Sequence, residues 1–125
     1  MLRPLLRWML YALASTALMS GCEGPTCDRE PPLTYENWGE AYIADFCVGC
    51  HSSLVEGAER RGATLGVDFN TYGDVMRQVD RIEARGTGPD FTMPPSGGPN
   101  EEQVRIFEEW LTCGVRPDAE ALEAE

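Results

Sequence analysis

Lysine does not occur in this 125-residue chain; all ten basic residues are arginine, and 21 aspartates and glutamates bring the formal net charge to −11. Such a balance excludes nucleic-acid binding, which needs basic patches to meet phosphates. It suits a partner that presents positive charge at its docking surface, although acidic charge also serves plain solubility. Histidine occurs once, as His51, so the chain holds no His pair for a zinc site. A second Cys-x-x-Cys is missing as well. No stretch alternates apolar and polar residues as a half-buried strand does, and none repeats, so the predicted fold class is all-α. The length allows one compact domain. Apolar runs stop well short of the ~20 residues that a membrane-spanning helix needs.

The longest apolar run is N-terminal. Arg3 and Arg7 come first, an apolar stretch runs from Trp8 to Met19, and small Ser20 and Gly21 lead to Cys22. A short positive region, an apolar core and small residues before the cleavage point are the parts of a secretion signal. With cysteine directly after them, the segment resembles a bacterial lipoprotein signal: residues 1–21 are removed and Cys22 carries lipid. Met19 stands where such signals usually have leucine, with Leu18 one place earlier. A plain secretory signal cut near Gly21 is the other reading, and it leaves Cys22 an ordinary thiol. Both export the chain into an oxidising compartment. The lipoprotein reading anchors it to a membrane of the bacterial cell envelope, facing the periplasm. Loss of Arg3 and Arg7 leaves eight basic against 21 acidic groups.

Residues 22–34 are rich in Pro and charge and read as an N-terminal tether without regular structure. The domain proper spans 35–115, followed by an acidic C-terminal tail at 116–125. About three main helices are predicted. Trp38, Tyr42, Ile43 and Phe46 recur at helical spacing over 35–51, with Thr34 as N-cap. Tyr72, Val75, Met76, Val79 and Ile82 mark a second helix over 72–84, capped by Asn70 or Thr71. Val104, Phe107, Trp110 and Leu111 mark a third over 101–113; Asn100 and Gln103 have capping-box spacing, and Gly114 is a natural stop. Residues 52–70 form a loop punctuated by Gly57, Gly62 and Gly66, and residues 86–99, with four glycines and four prolines, form another.

The chemistry concentrates at Cys47-Val48-Gly49-Cys50-His51. Cys-x-x-Cys-His is the attachment signature of c-type haem. On a helix, thiols three residues apart face one side and can form thioether bonds to the two vinyl groups of one haem. His51, four residues after Cys47, faces the same side and supplies the proximal iron ligand. A thioredoxin-like redox pair would need a strand–helix setting that the sequence does not offer. A zinc half-site would lack its other ligands.

Since His51 is the one histidine, bis-histidine ligation within the chain is excluded, and sulfur is the donor that raises the potential of electron-transfer haems. Met93 lies in Phe91-Thr92-Met93-Pro94-Pro95, on a loop stiffened by prolines, and is the expected sixth ligand. Met76 is the other downstream methionine; it sits on an apolar helical stripe and reads as core. Packing in its loop without binding iron is the other reading of Met93. Two filled axial positions leave no site for oxygen or peroxide, so the prediction is single-electron transfer with no catalytic residue. A small haem enzyme or ligand-binding haem protein with a labile sixth ligand is the alternative. A thiol-based lipoprotein without haem is the third.

At these residues the chain resembles the class I mono-haem c-type cytochromes, over roughly residues 35–114. It is most similar to short exported lipoprotein members with a Met-Pro-Pro loop and a Trp-Leu-x-Cys-Gly ending, here Trp110-Leu111-Thr112-Cys113-Gly114. The resemblance implies a cytochrome c-like fold in which the first and last helices cross beside one covalent haem c. It implies Cys47, Cys50 and His51 on one face, Met93 closing the other, and redox proteins of the cell envelope as partners. Well-known members present lysines to those partners; this chain has none, so no docking surface carries over. Cys22 then takes lipid, Cys47 and Cys50 take haem, and Cys27 and Cys113 are left to form a disulfide between the tether and the last helix. Without lipidation, Cys22–Cys27 becomes an alternative and Cys113 is left over. Arg60 and Arg61 are candidates for the haem propionates, with Arg81 and Arg85 behind them, and each reads as readily as a solvated surface arginine.

Overall fold

The computed structural model describes residues 24–125; the expected signal at 1–21 and the expected lipid-bearing Cys22 lie outside the described residues. Three helical segments begin where the sequence supplies side-chain acceptors. Thr34 Oγ1 accepts the Asn37 amide at 3.2 Å, and Asn37 Oδ1 accepts the Thr34 amide at 2.8 Å, pairing donors that a helix start otherwise leaves open. A wide π-helical turn, Tyr35–Gly39, runs straight into α1, Glu40–Phe46. Thr71 and Asp74 form the same reciprocal cap at the start of α2, Tyr72–Arg77.

The second predicted helix is two. α2 closes where the Gln78 amide turns to the Val75 carbonyl, and α3, Val79–Gly86, resumes with the Ile82 amide on the Gln78 carbonyl. Val75, Val79 and Ile82 stay buried on both sides of the break. α4, Glu101–Trp110, starts from the Asn100–Gln103 capping box. No strand occurs among the described residues, and the protein is all-α.

Gly114 does not stop the third helix. α4 passes through a wide turn, Leu111–Val115, into α5, Arg116–Glu123, so most of the expected acidic tail is helical. The glycine serves close approach instead: a Cβ there would lie 3.2 Å from both the Leu33 carbonyl oxygen and Trp110 Cδ1. Pro117 falls in the first turn of α5, directly after the wide turn, and donates no amide to the carbonyls before it. Tertiary contacts hold the extension down. Val115 is fully buried, Tyr72 Oη donates to Asp118 at 2.6 Å, and Arg116 pairs with Asp80 and Glu83.

Trp110, 0% exposed, anchors a core that includes Tyr42, Ile43, Phe69, Val75, Phe107 and Leu111. Its indole lies against the Gly39 backbone, where a Cβ would sit 2.2 Å from Cζ2. Gly39 has ordinary helical dihedrals (φ −62°, ψ −42°), so alanine is excluded there by contact and not by conformation. Gly39→Ala is therefore expected to lower stability by about 3 kcal/mol through overpacking, even though alanine is the better helix former. Gly73→Ala meets only the Arg77 side-chain tip at 3.3 Å and Thr71 Oγ1 at 3.7 Å, and is expected to be neutral or slightly stabilising. Denaturant midpoints of the two variants check both.

Residues 24–34 have no regular structure, yet they do not hang free as a tether would. A Cys27–Cys113 disulfide (Cα–Cα 5.5 Å) ties them to the turn after α4. Arg29 adds a two-pronged bridge to the buried Glu109, Nε to Oε1 at 2.6 Å and Nη2 to Oε2 at 2.7 Å. Those hydrogen bonds hold the Glu109 carboxyl below its usual range. The stabilisation they give is present above about pH 4.3 and is lost as the pH falls through the lowered folded value. The disulfide closes a loop across a sequence separation of 86. Cys113→Ser is thus expected to cost about 4–5 kcal/mol on the chain-entropy account, read from unfolding curves of the variant and of the reduced protein.

Candidate functional site

α1 ends at Phe46, one residue before the cysteines, so the expected helix over 35–51 is too long. Cys47 leaves helical geometry (φ −120°, ψ −52°), and a tight turn carries the motif. The Cys47 and Val48 amides both reach the Ile43 carbonyl (2.9 and 3.1 Å). Those of Cys50 and His51 both reach the Cys47 carbonyl (3.2 and 2.9 Å). Val, Gly, Cys and His are poor helix formers, so little local preference opposes the exit. The turn keeps Cys47, Cys50 and His51 within one hydrogen-bonded unit.

Cys47 and Cys50 are both half-buried free thiols. Burial pushes the Cys47 thiol up to about 12. The described residues hold no strand, so the strand–helix setting of a thioredoxin-like pair is missing among them. Among the described residues no group of three or more His, Cys, Asp or Glu could hold a metal ion.

His51 is oriented by the loop that follows it. Its Nδ1 lies 2.8 Å from the Val67 carbonyl oxygen. A carbonyl only accepts, so Nδ1 carries the proton and Nε2 keeps its lone pair for a ligand bond. The Phe69 ring packs beside the imidazole, centroids 4.9 Å apart, and the Phe69 amide donates to the His51 carbonyl at 2.9 Å.

Arg60 departs from both of its sequence readings. It is neither a solvated arginine nor a free partner for a propionate: it is 3% exposed and its N–H groups are engaged within the protein. Nη1 donates to the carbonyls of Ser52 (2.6 Å) and Val55 (3.3 Å), Nε to Ala63 (3.2 Å) and Nη2 to Thr64 (2.9 Å). Asp68 completes the set as an ion pair at 2.9 Å. Arg61, Arg81 and Arg85 are exposed.

Met76 is half-buried and packs against the core. Met93 is 37% exposed, on a loop whose Thr92 and Met93 amides are pinned to the Arg85 carbonyl at the end of α3 (2.8 and 2.9 Å). Further along the loop, a Cβ on Gly98 (φ +142°) would lie 3.1 Å from Phe46 Cδ1. The Met93 loop therefore closes against the residue that precedes Cys47. Leu54 and Leu65, at 87% and 81% exposed, lie on the loop after His51. Two thiols, an imidazole with a free Nε2 and uncovered apolar side chains on the adjoining loops could hold a flat apolar cofactor. A cleft of about 350 Å³ near the start of α2 is lined by Ser53, Asp68, Asn70, Asp74 and Arg77 among others, and by none of Cys47, Cys50, His51 or Met93.

The burial of Arg60, which the sequence offered only as a propionate partner or a surface group, and the Val67 carbonyl are the site features that sequence reasoning missed. A backbone acceptor leaves no mark in a sequence, and an arginine in a glycine-rich loop reads as surface. Comparison with known protein families, curated proteins and solved structures finds no match. The fold defines the class as an all-α protein.

Proposed function

We propose that the protein is a lipid-anchored mono-haem c-type cytochrome that transfers single electrons, with a cytochrome c-like arrangement of its helices. The observation that carries this reading is the Cys47–His51 turn: two free thiols and an imidazole whose Nδ1 is occupied by Val67, leaving Nε2 for iron. Cys47 and Cys50 would hold the porphyrin covalently, His51 would be the proximal ligand, and Met93, exposed on a loop that closes near the motif, the distal one. Bound there, haem c supplies one-electron cycling of its iron between ferrous and ferric states. The chain's own part is orientation and burial. Val67 fixes the imidazole, and Arg85 fixes the Met93 loop through its carbonyl. Exposed Leu54 and Leu65 offer apolar surface for the porphyrin to cover.

Export and lipidation at Cys22 would set the protein on a membrane of the bacterial envelope, facing the periplasm. No helix among the described residues is long and apolar enough to cross a membrane. The acidic charge favours redox partners with basic docking surfaces. A spectrum and redox titration of protein made beside haem-attachment machinery tests the reading. One haem per chain, a sulfur-ligation band in the oxidised state and a single one-electron wave are expected. Haem without that band, and with ready binding of added ligand, would favour the labile-ligand alternative.

A further inference from the structure

Arg60 is the least exposed charged residue of the described chain, and electron transfer as proposed above gives it no task. One guanidinium grips the backbone on both sides of the imidazole. Nη1 holds the carbonyl of Ser52, the residue after His51, at 2.6 Å. Nε and Nη2 hold those of Ala63 and Thr64, and Nη2 makes a long contact (3.5 Å) with the Val67 carbonyl itself. That carbonyl accepts the hydrogen bond of His51 Nδ1 at 2.8 Å.

We propose that Arg60 is the positioning residue of the iron ligand: it clamps the loop that holds His51 in its Nδ1–H form, and its charge, offset by Asp68, tunes the reduction potential. The proposal rests on the haem reading. The physical logic is that hydrogen bonds to the far nitrogen of a ligating histidine set both its orientation and its donor strength. A buried cation beside the ligand disfavours the more positive ferric state, and the half-buried Asp68 carboxylate, 19% exposed at its side chain, offsets it because water screens the pair only in part. Few other groups could bridge carbonyls from Ser52 to Thr64, since only a guanidinium carries five donors in a fixed fork.

Three variants separate clamp from charge. Arg60→Lys keeps the cation but not the fork. Nitrogen-15 NMR of the His51 ring in the apoprotein is expected to show one Nδ1–H tautomer in the wild type and a mixture in this variant. Asp68→Asn keeps the clamp and removes the counter-charge. Its holoprotein is expected to shift the ferrous/ferric equilibrium about tenfold toward ferrous, a rise of about 59 mV for one electron. Arg60→Met is expected to shift it by a similar factor the other way. An unchanged tautomer in Arg60→Lys, or an unshifted potential in Asp68→Asn, overturns the proposal, and both remain decisive should Arg60→Met not fold. Wild-type protein that takes up no haem would count against the functional reading, while the tautomer comparison, which needs no haem, still decides the clamp.

Discussion

A Cys47→Ala/Cys50→Ala double variant, produced beside haem-attachment machinery, is expected to leave a denaturing gel with no haem stain, where the wild type stains one band. Thioether bonds survive denaturation and axial ligands do not, so the effect is all-or-none. The single variants each keep one thioether and are expected to stain weakly. The chain itself should survive the loss. Trp110, Phe107, Ile43, Leu111, Val75 and Val115 are packed to 2% exposure or less among themselves. The cross-link between Cys27 and Cys113 constrains the unfolded chain whether or not a cofactor is present. The double variant is therefore expected to remain helical by circular dichroism while colourless. A double variant that stains like the wild type would remove the attachment assignment.

Met93→Ala is expected to have the second largest effect. Removing a thioether ligand that raises the potential should lower it by about 0.2 V, a fraction of the ~0.8 V range that axial ligands span. The sulfur-ligation band should vanish, and the vacated position should accept an added small ligand. Met76→Leu is the control: Met76 packs against the buried core, so a near-isosteric replacement should cost under about 1.5 kcal/mol and leave both band and potential in place. If the band follows Met76 instead, the distal assignment moves to α2 and the exposed Met93 loop becomes a surface feature.

What could be read from the sequence is what lies in local chemistry. The reciprocal pairs Thr34–Asn37, Thr71–Asp74 and Asn100–Gln103 sit at helix starts because their side chains pair donors within four residues, and the apolar spacing that follows each gives the helix. The Cys-x-x-Cys-His spacing is local in the same sense. Helix ends are not. Gly114 looks like a terminator, but the close passage of Leu33 and the contacts of Asp118 and Arg116 with Tyr72, Asp80 and Glu83 decide otherwise. Those partners lie more than thirty residues away in sequence. Gln78 breaks a stripe of unbroken periodicity, and Phe46 ends a helix whose apolar pattern runs on toward His51. Arg60 shows the limit most plainly. Its burial comes from a loop folding around it, and its partners are main-chain carbonyls that any sequence would supply.

The intact mass of the protein, taken under denaturing conditions after purification from the cells that make it, bears most directly on the central claim. The account predicts the lipidated polypeptide plus one haem, retained without any axial ligand. A mass equal to the polypeptide and its lipid alone, from protein that is folded beforehand, would contradict it.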